Sequence, residues 1–552
     1  MTADRRNEGE ETMDTETPRD DADAGSAATA ADRTNLTLPD YLLSGALQRG
    51  RKPALVDAAT GAELAYADLA AAIGEIGARL TARGLVPGDV LALCAPNGIA
   101  FVTTYLAALS AGAVVTTVNP LWTPAEIGRQ LGQASARWVA GPPALLADKM
   151  PGLAGGNGRA EAFATGGPDA GQAAPFVVFR TGPAASAVAE AGRVDPSAAL
   201  LLSSSGTTGL PKLVEMTHRN LVANLRQTRP VHQVSEDDVV IAALPLFHIF
   251  GLQVSLNLAL RAGATVVILP RFDLAGFLSA AEVYRATRSE LVPPMVLGLA
   301  ASDLADNYDL SSLRVLTSGA APLSADLARA CAQQAGCRVK QAYGLTETAG
   351  ASHMAPDDGP EHPDSIGPAL PGVECRVADP ESGADLGAGV PGELLIRSAG
   401  VMRGYLGNPE ATAATVDPDG WLHTGDIVTV DGDGWYRVAD RVKELIKYKG
   451  LSVAPAELEG LLLTHPAVAD VAVVRYADPA AGEVPKAYVV LAGPATEQDL
   501  MDWVAERVAP YKRVRLIEFT DSIPKSASGK ILRRLLVGAE SSAGRPAAAP
   551  RP

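Results

Sequence analysis

Short apolar runs alternate with longer amphipathic stretches over most of the chain. Residues 90–95 and 113–118 are predicted strands, and residues 98–110 between them are predicted as a helix. Three later apolar runs are also typical of buried strands, at 239–244, 264–270 and 313–317. Because strands that alternate with helices form βαβ units, we predict an α/β fold whose sheets are largely parallel.

The pattern changes near Gly392, where strand-like runs follow one another without intervening helices. Residues 393–397, 421–430 and 435–438 are predicted strands. The polar sequence Asp431-Gly-Asp-Gly between the last two runs is typical of a hairpin turn. We therefore expect a β-rich portion at the end of the α/β region.

The two ends of the chain differ in composition from its body. Residues 1–36 hold ten acidic residues and four arginines, residues 539–552 are rich in Ser, Gly, Ala and Pro, and both segments are predicted to be disordered tails. Between them we predict a large N-terminal domain over 37–440, made of α/β subdomains plus the β-rich portion. A small α+β C-terminal domain is predicted over 441–538.

Composition excludes several classes of function. The formal net charge is −16 and no basic face is evident, so we expect no nucleic-acid partner. The chain has no signal-peptide pattern and no apolar run of about 18 residues, so no membrane span is expected. The four cysteines and seven histidines lack the spacing of metal ligands, which predicts reduced thiols, no structural zinc and a cytoplasmic location.

The strongest chemical signal is the loop at 203–212, which reads Ser-Ser-Ser-Gly-Thr-Thr-Gly-Leu-Pro-Lys after an apolar run. Its hydroxyls, amides and lysine can donate to phosphate oxygens, and its glycines allow close backbone approach, so it predicts a polyanion site. The loop is not a Walker motif, because Pro211 precedes the lysine. A flexible linker is the alternative interpretation, which the apolar flank disfavours. The candidate phosphate-binding residues are Ser203, Ser204, Ser205, Gly206, Thr207, Thr208, Gly209 and Lys212.

A second polar block lies at 341–348. Tyr343 could stack on a purine, and Thr346 could donate a hydrogen bond to a phosphate. Glu347 could hold Mg²⁺, which prefers carboxylate and phosphate oxygens. Taken alone, a block of this kind is more often an ordinary loop.

Two more blocks follow near the predicted domain junction and the C-terminus. Asp426 could accept both ribose hydroxyls, and Arg441 and Lys443 lie at the junction itself. Lys530 lies on a Gly/Ser loop, from which a lysine can reach a neighbouring domain. An exposed loop lysine is the commoner explanation of such a residue.

These blocks, in this order, resemble those of the adenylate-forming superfamily of acyl-CoA synthetases, luciferases and peptide-synthetase adenylation domains. The resemblance extends from about residue 36 to residue 536 and includes Pro245-Leu-Phe-His, Ser318-Gly-Ala-Ala-Pro and Lys443-Glu-Leu-Ile-Lys-Tyr-Lys-Gly. The 4-coumarate–CoA ligase branch is the most similar. The resemblance implies a mobile C-terminal domain and an ATP-dependent, AMP-forming acid–thiol ligase. Its substrates would be a carboxylic acid, ATP with Mg²⁺, and coenzyme A.

The resemblance also implies roles for individual residues. The 203–212 loop would hold the β- and γ-phosphates, Thr346 would contact the α-phosphate and Glu347 would bind Mg²⁺. The residues around adenine and ribose would be Gly319, Ala320, Ala321, Tyr343, Gly344, Asp426 and Arg441.

The two half-reactions would use different lysines. Lys530 would neutralise charge between the carboxylate and the α-phosphate during adenylation. Lys443 would be the hinge about which the small domain rotates, and Lys447 would then serve the adenylate or the thiol step. His248 would lie at the mouth of the acyl pocket beside the reacting carboxylate.

Departures from the family pattern concern the loop and the acyl pocket. Leu213 replaces a glycine after the loop lysine, which is costly if that position needs a positive φ. Ser452 replaces a glutamine that helps to position the adenylate. The pocket positions are Phe250, Val254, Ala301, Gly350 and Ala351, which predict a less polar pocket with more room near Gly350. An aryl, cinnamic or medium-chain acid fits these residues, whereas 4-coumarate itself is disfavoured.

Two other functions stay open at this point. The adenylate could be passed to a carrier protein, or nitrite could be activated to diazotise an aromatic amine. A relative that binds nucleotide or acyl ligand without turnover is the second alternative, and the retained Thr346, Glu347, Asp426, Arg441 and Lys530 argue against it.

Overall fold

A computed structural model describes residues 36–151, 161–163, 176–180, 194–204, 212–441, 444–448, 451–478, 481–525, 530–533 and 535–536. The strands of these ranges are β1 Pro53–Asp57, β2 Glu63–Ala65, β3 Val90–Cys94, β4 Val114–Val118, β5 Trp138–Gly141, β6 Glu161–Phe163, β7 Phe176–Arg180, β8 Ala198–Ser203, β9 Leu213–Thr217, β10 Val239–Ala242, β11 Thr265–Ile268, β12 Arg288–Leu291, β13 Val315–Ser318, β14 Arg338–Leu345, β15 Gly350–Met354, β16 Glu374–Ala378, β17 Gly392–Arg397, β18 Gly404–Tyr405, β19 Leu422–Val430, β20 Tyr436–Arg441, β21 Ile446–Tyr448, β22 Leu451–Val453, β23 Val468–Asp478, β24 Gly482–Leu491 and β25 Leu516–Phe519.

The α-helices of the same ranges are α1 Leu38–Leu42, α2 Ala46–Arg49, α3 Tyr66–Ala82, α4 Ile99–Ser110, α5 Pro124–Gln133, α6 Pro143–Lys149, α7 His218–Thr228, α8 Leu258–Ala262, α9 Leu274–Val283, α10 Pro293–Ala300, α11 Ala325–Ala335, α12 Pro409–Ala413, α13 Pro455–Leu463 and α14 Glu497–Ala505. A π-helix spans Phe250–Asn257. Short 3₁₀ turns lie at Asp303–Asn307, Thr346–Thr348 and Pro510–Lys512.

Two eight-stranded sheets are parallel at their centres and antiparallel at their edges. The first has the order β15-β14-β13-β12-β10-β11-β1-β2, and the second has the order β18-β9-β8-β4-β3-β5-β7-β6. In the first sheet every neighbouring pair from β14 to β1 is parallel. In the second sheet the parallel pairs join β8, β4, β3 and β5. The predicted α/β fold with largely parallel sheets is therefore confirmed.

The core lies between these sheets and is centred on α4. Strands β3 and β4 are buried at every position, because helices cover parallel strands on both faces. Helix α4 is buried around nearly its whole circumference and contacts β3 and β4 of one sheet and β1 of the other. Its apolar sequence suits that position, since an all-round apolar helix belongs inside a protein.

The β-rich portion is a separate antiparallel sheet of order β16-β17-β19-β20. The predicted hairpin is the β19–β20 pair, and the Asp431 carboxylate caps its turn by accepting the N–H groups of Asp433 and Trp435. Beyond residue 441, strands β21 to β25 and helices α13 and α14 form the small α+β unit around its own apolar cluster. The exact domain boundaries stay a prediction.

Candidate active site

The β8–β9 hairpin holds both ends of the predicted phosphate loop. Ser203 pairs with Leu213 across the two strands, and the Ser204 amide donates to the Lys212 carbonyl at 2.8 Å. Ser204 is buried, and Lys212 is half-buried. The other loop candidates lie outside the described residues: Ser205, Gly206, Thr207, Thr208 and Gly209.

Leu213, which follows the loop, is not strained. It is paired in a regular antiparallel ladder, is buried in an apolar cluster, and is not among the described residues with positive φ. A leucine would be costly here only if the position needed a positive φ, and Leu213 does not have one. The leucine at this position fills space in an apolar cluster.

Tyr405 connects the phosphate loop to the candidate magnesium residue. Strand β18 pairs with β9, so that Tyr405 lies opposite Val214, two residues after Lys212. The Tyr405 hydroxyl donates to Glu347 Oε1 at 2.8 Å, and Lys212 Nζ lies 4.4 Å from the centre of the Tyr405 ring. Burial and the neighbouring Glu347 charge raise the pKa of Tyr405, so this hydroxyl stays protonated as a donor.

Sequence reasoning missed Tyr405. A Gly-Tyr dipeptide in a mixed polar stretch carries no local signal of function, and only the pairing of β18 with β9 reveals it. The same strand pairing is reinforced by the Arg403 guanidinium, which contacts Glu215 at 2.7 Å. Both interactions therefore hold the segment with Tyr405 against β9.

Tyr343 and Asp426 come from different sheets and meet side by side. The Tyr343 hydroxyl donates to Asp426 Oδ2 at 2.6 Å, and Asp426 is only 3% exposed. Asp426 lies on β19 opposite Arg441 of β20, whose side chain is outside the described residues. The structure thus brings together an aromatic ring and a carboxylate that the sequence separates by more than eighty positions.

Residues 319–321 follow β13 as a narrow strip of backbone beside Tyr343, which we call the Gly319–Ala321 strip. A side chain at Gly319 would lie 2.9 Å from the ring of Phe250, and one at Gly344 would lie 1.9 Å from the Gly350 carbonyl. Ala320 is exposed and adopts φ +67°, and Ala321 is half-buried. The absence of side chains at Gly319 and Gly344 thus lets the protein's own Phe250 ring and Gly350 carbonyl pack closely against this part of the chain.

Thr346 and Glu347 lie in a 3₁₀ turn that a neighbouring hydroxyl braces. Thr348 Oγ1 accepts the Leu345 amide at 2.9 Å and donates towards the Gly350 carbonyl at 2.8 Å. Both Thr346 and Glu347 are half-buried, and among the described residues only Tyr405 hydrogen-bonds the Glu347 carboxylate.

The Glu347 carboxylate fits a magnesium ion. One oxygen accepts from Tyr405, and a carboxylate combined with substrate phosphates is a usual Mg²⁺ environment. Within the described ranges no group of three or more His, Cys, Asp or Glu side chains could hold a metal ion. A cation bound mainly by phosphate oxygens does not require such a group.

The candidate acyl pocket is an apolar cluster between the π-helix and β14–β15. Phe250 and Val254 of the π-helix pack with Ala342, Ala351 and Met354. Phe250, Val254 and Ala351, which the sequence places in the acyl pocket, therefore lie together in this cluster.

Two pocket residues differ from expectation. A side chain at Gly350 would lie 2.7 Å from Asn224 Oδ1 and 3.2 Å from Gln253 Cγ, so the expected extra room is absent on that side. Ala301 is exposed directly after the end of α10 and is not part of the apolar cluster. The difference at Gly350 arises from neighbours that are distant in sequence.

His248 is a half-buried residue next to the start of the π-helix. Burial lowers the pKa of His248 to about 4, so the ring is neutral near neutral pH. Its Nε2 atom is buried and has no hydrogen-bond partner among the described residues. A neutral imidazole with one unpartnered nitrogen can contact a bound polar group without adding charge.

The C-terminal lysines are only partly described. Lys530 is half-buried beside the bridge between Lys525 and Ile531, and the Leu532 amide donates to the Pro524 carbonyl at 2.8 Å. Lys443 lies outside the described residues. The same is true of the side chains of Lys447 and Ser452, whose backbones lie in β21 and β22.

Comparison with protein families gives two matches along the chain. Residues 44–406 match the model described as AMP-binding enzyme, and residues 457–530 match the AMP-binding enzyme C-terminal domain. No helix in the described part of the chain is long and apolar enough to cross a membrane.

Individual relatives are similar over nearly their whole length. A 4-coumarate–CoA ligase of Oryza sativa subsp. japonica is 41% identical, covering 91% of this chain and 94% of the relative. One of Arabidopsis thaliana is 38% identical, covering 91% and 92%.

Solved structures show the same fold. ATP-bound MatB from Rhodopseudomonas palustris has a TM-score of 0.78 at 29% identity, covering 92% of this chain and all of that one. The anthranilate CoA ligase AuaEII with anthranoyl-AMP has a TM-score of 0.80 at 26% identity, covering 94% of this chain and 100% of that one.

Proposed function

We propose residue roles and a substrate class from the premise that this chain belongs to the family of AMP-binding enzymes. It is an ATP-dependent, AMP-forming ligase that joins a small carboxylic acid to coenzyme A. In the first step the acid's carboxylate oxygen attacks the α-phosphorus of ATP and pyrophosphate leaves. In the second step the thiol sulfur of coenzyme A attacks the acyl carbon, and AMP leaves as the thioester forms.

The acid that we propose is an aromatic acid of benzoate or cinnamate size. The apolar cluster of Phe250, Val254, Ala342 and Ala351 supports this class, because flat apolar groups pack well against such residues. Relatives named for 4-coumarate and a structural neighbour named for anthranilate are consistent with it. A medium-chain acid is the alternative that the same cluster leaves open.

The contact between Tyr343 and Asp426 is the observation that carries the nucleotide site. We infer that adenine lies between Tyr343 and the Gly319–Ala321 strip, and that Asp426 accepts the ribose hydroxyls. The hydrogen bond between them fixes the ring and the carboxylate before a ligand arrives, which reduces the cost of ordering them on binding.

The triphosphate site is proposed around Lys212, Thr346 and Glu347. Lys212 and the hydroxyl-rich loop would neutralise the β- and γ-phosphates, and Thr346 would donate to the α-phosphate. Glu347 and phosphate oxygens would hold Mg²⁺, which would supply charge neutralisation. Two anions must meet in adenylation, so such cations and donors dominate the expected catalysis.

The small domain is proposed to move between the two steps. With 37–440 as the large domain and 441–538 as the small one, Lys530 would serve adenylation. Rotation about Lys443 would then bring Lys447 and its loop towards the adenylate. A cytoplasmic location is proposed because Cys94, Cys331, Cys337 and Cys375 are all free thiols.

Coenzyme A is the acceptor that family and relatives support, and nothing in the comparisons favours a carrier protein. Leu213 departs from the family pattern but fits its strand without strain, so it gives no support to an unusual acceptor. No observation in the described structure therefore argues for nitrite activation.

A panel of acids tests the proposal. Carboxylate-dependent exchange of labelled pyrophosphate into ATP reports the first step, and thioester formation reports the second. We expect exchange with benzoates or cinnamates and thioester only when coenzyme A is added. Exchange confined to fatty acids would refute the substrate class, and exchange without thioester formation would refute the acceptor.

A further inference from the structure

Two buried polar side chains beside the second sheet bind the loop that carries His248. We call residues 245–248 the His248 loop, and it lies between β10 and the π-helix. Asn97 lies between β3 and α4, and Thr117 lies near the end of β4. These two side chains are 8% and 3% exposed, so they must find their hydrogen-bond partners within the protein.

Asn97 joins the two eight-stranded sheets through three hydrogen bonds. Its Nδ2 atom donates to the Leu244 carbonyl at 2.9 Å and to the Leu269 carbonyl at 3.1 Å, and its Oδ1 atom accepts the Leu246 amide at 2.8 Å. Leu244 and Leu269 follow the carboxyl ends of β10 and β11. A carboxamide offers donors and an acceptor as a peptide group does, so Asn97 satisfies buried backbone groups beyond the ends of these strands.

Thr117 holds the same loop closer to His248. Its hydroxyl donates to the Phe247 carbonyl at 2.8 Å. That carbonyl belongs to the peptide group that leads directly into His248. Asn97 and Thr117 therefore bind consecutive residues of the loop, one through an N–H group and the other through a carbonyl.

The His248 loop is a tight turn whose hydrogen bonds continue into the π-helix. The His248 amide donates to the Pro245 carbonyl at 3.2 Å, and the Leu252 amide donates to the His248 carbonyl at 3.0 Å. A side chain at Gly251 would lie 2.6 Å from the Pro245 carbonyl. Because these contacts tie the turn together, a displacement at one of its residues is passed to the others.

The His248 ring depends on this backbone for its position. Its Nε2 atom has no hydrogen-bond partner among the described residues, and the ring packs on Phe247 with 4.6 Å between the ring centres. Thr117 thus holds the carbonyl of the residue against which the imidazole packs. A displacement of the loop would move the imidazole with it.

We propose that Asn97 and Thr117 are positioning residues for adenylation, because they determine where the His248 imidazole lies relative to the reacting carboxylate. The inference rests on the proposed function and on the place that the family resemblance gives to His248, at the mouth of the acyl pocket. Both residues act through the imidazole and not by contact with the acid. A group beside the reacting atoms that is misplaced by about 1 Å can cost about a hundredfold in rate.

Thr117→Val tests this role, because valine keeps the shape of the side chain and removes the donor. Exchange of labelled pyrophosphate into ATP is measured with benzoate and with cinnamate. We expect kcat/KM for the acid to fall about fivefold or more, while KM for MgATP stays at the wild-type value. Thr117→Ser restores the hydroxyl and should recover most of the loss. Asn97→Ala should act in the same direction, and if its thermal midpoint shows that it does not fold, Thr117→Val decides alone.

A double-mutant cycle separates positioning from a general structural effect. In a His248→Ala background, Thr117→Val should lower kcat/KM no further, because the ring through which the hydroxyl acts is gone. Equal losses from Thr117→Val in both backgrounds, or wild-type kinetics in Thr117→Val, overturn the positioning role and leave the ligase function intact. Wild-type kinetics in His248→Ala overturn the place given to His248 and the positioning role with it. Absence of exchange with every acid overturns both the proposed function and this inference.

Thr265→Val is the matched control. Thr265 is also a strand threonine whose hydroxyl donates to a backbone carbonyl, that of Pro53 at 2.9 Å. It lies at the amino end of β11, opposite Val239 at the start of β10, whereas the His248 loop follows the carboxyl end of β10. Its exchange kinetics should therefore match those of the wild type even where its thermal midpoint falls. A loss of kcat/KM equal to that of Thr117→Val would contradict the positioning role.

Discussion

At the scale of single residues, the site is organised by hydroxyl–carboxylate pairs. Tyr343 donates to Asp426, and Tyr405 donates to Glu347. A hydrogen bond to an ionised group is roughly twice as strong as a neutral one, and it fixes which carboxylate oxygen remains for a ligand. The tyrosines therefore set the orientation of groups that would otherwise rotate freely.

Replacement of Tyr405 by phenylalanine tests this orientation. Tyr405→Phe keeps the ring beneath Lys212 but removes the donor to Glu347, and hydrogen bonds to charged groups contribute about 1.5–3 kcal/mol. We expect kcat/KM for MgATP to fall about tenfold or more in pyrophosphate exchange, together with a lower thermal midpoint because the same hydrogen bond stabilises the folded chain.

Tyr284→Phe is the control for that substitution, because Tyr284 packs in a distant apolar cluster. Its exchange kinetics should match those of the wild type. Wild-type kinetics in Tyr405→Phe would show that Glu347 is oriented without the hydroxyl.

At the scale of elements, the parallel strands build the core and the antiparallel edges carry the site. β9 and β18 form one edge and position Lys212 and Tyr405. β14 and β15 form another and position Tyr343 and Glu347 at either side of a register shift. Edge strands tolerate such a register shift because an edge strand has a hydrogen-bonded neighbour on only one side.

Because β14 and β15 approach closely at Gly344, adding a single methyl group there is predicted to reduce stability strongly. In Gly344→Ala the new methyl would lie 1.9 Å from the Gly350 carbonyl, so the two strands must separate. We expect a stability loss of about 3 kcal/mol, seen as a lower thermal midpoint, together with loss of pyrophosphate exchange.

Gly74→Ala is the matched control for that variant. Gly74 lies within α3 and has no neighbour within 4 Å of an added Cβ. Alanine is favoured over glycine in a helix by about 1 kcal/mol, so the thermal midpoint should rise slightly. Equal effects of both substitutions would contradict the role given to the β14–β15 contact.

The contact between α1 and His218 predicts that the stability of the protein depends on pH. His218 Nδ1 accepts the Leu38 amide at 3.0 Å, and burial lowers the pKa of His218 from 6.5 to about 4. Between these values the unfolded chain binds more protons than the native state, so stability falls as the pH falls, by about 1.4 kcal/mol per pH unit from this residue.

His218→Asn keeps an acceptor but does not titrate. Its thermal midpoint should therefore fall less than that of the wild type when the pH is lowered from about 7 to about 5. The exposed His423 provides the control, and His423→Asn should follow the wild type. Parallel falls in wild type and His218→Asn would exclude His218 as a source of acid sensitivity.

What could be predicted from the sequence is also decided at the scale of elements. The apolar runs of β3, β4 and β10 predict strands, because each is buried along its length and its pattern is local. The Tyr343–Asp426 and Tyr405–Glu347 pairs depend on strand neighbours far apart in the chain. The strand holding Arg288 and Glu290 was not predicted, since charged residues suggest a surface until their buried partners are known.

At the scale of the whole molecule, two domains are proposed to share one nucleotide. The large domain holds Lys212, Glu347 and Asp426, and the small domain contributes Lys530. Lys530→Ala should reduce adenylation by several orders of magnitude, because a cation between two approaching anions is lost. Thiolysis of supplied acyl-AMP should be largely retained, and thioester release is the measurement.

Lys525→Ala is the control in the same segment, since Lys525 pairs with Asp470 within the small domain. It should leave both half-reactions near wild-type rates. Equal loss of both half-reactions in Lys530→Ala would contradict the alternation of domains.

The pairing of β9 with β18 also determines when the two strands can meet during translation. Lys212 and Tyr405 are neighbours in the fold, yet they lie far apart in the chain, and Asp426 lies later still. At typical translation rates the codon for Asp426 is read ~10–40 s after that for Lys212. If Asp426 binds the ribose as proposed, the nascent chain lacks that contact until then, so ATP would stabilise the finished large domain and not its precursors on the ribosome.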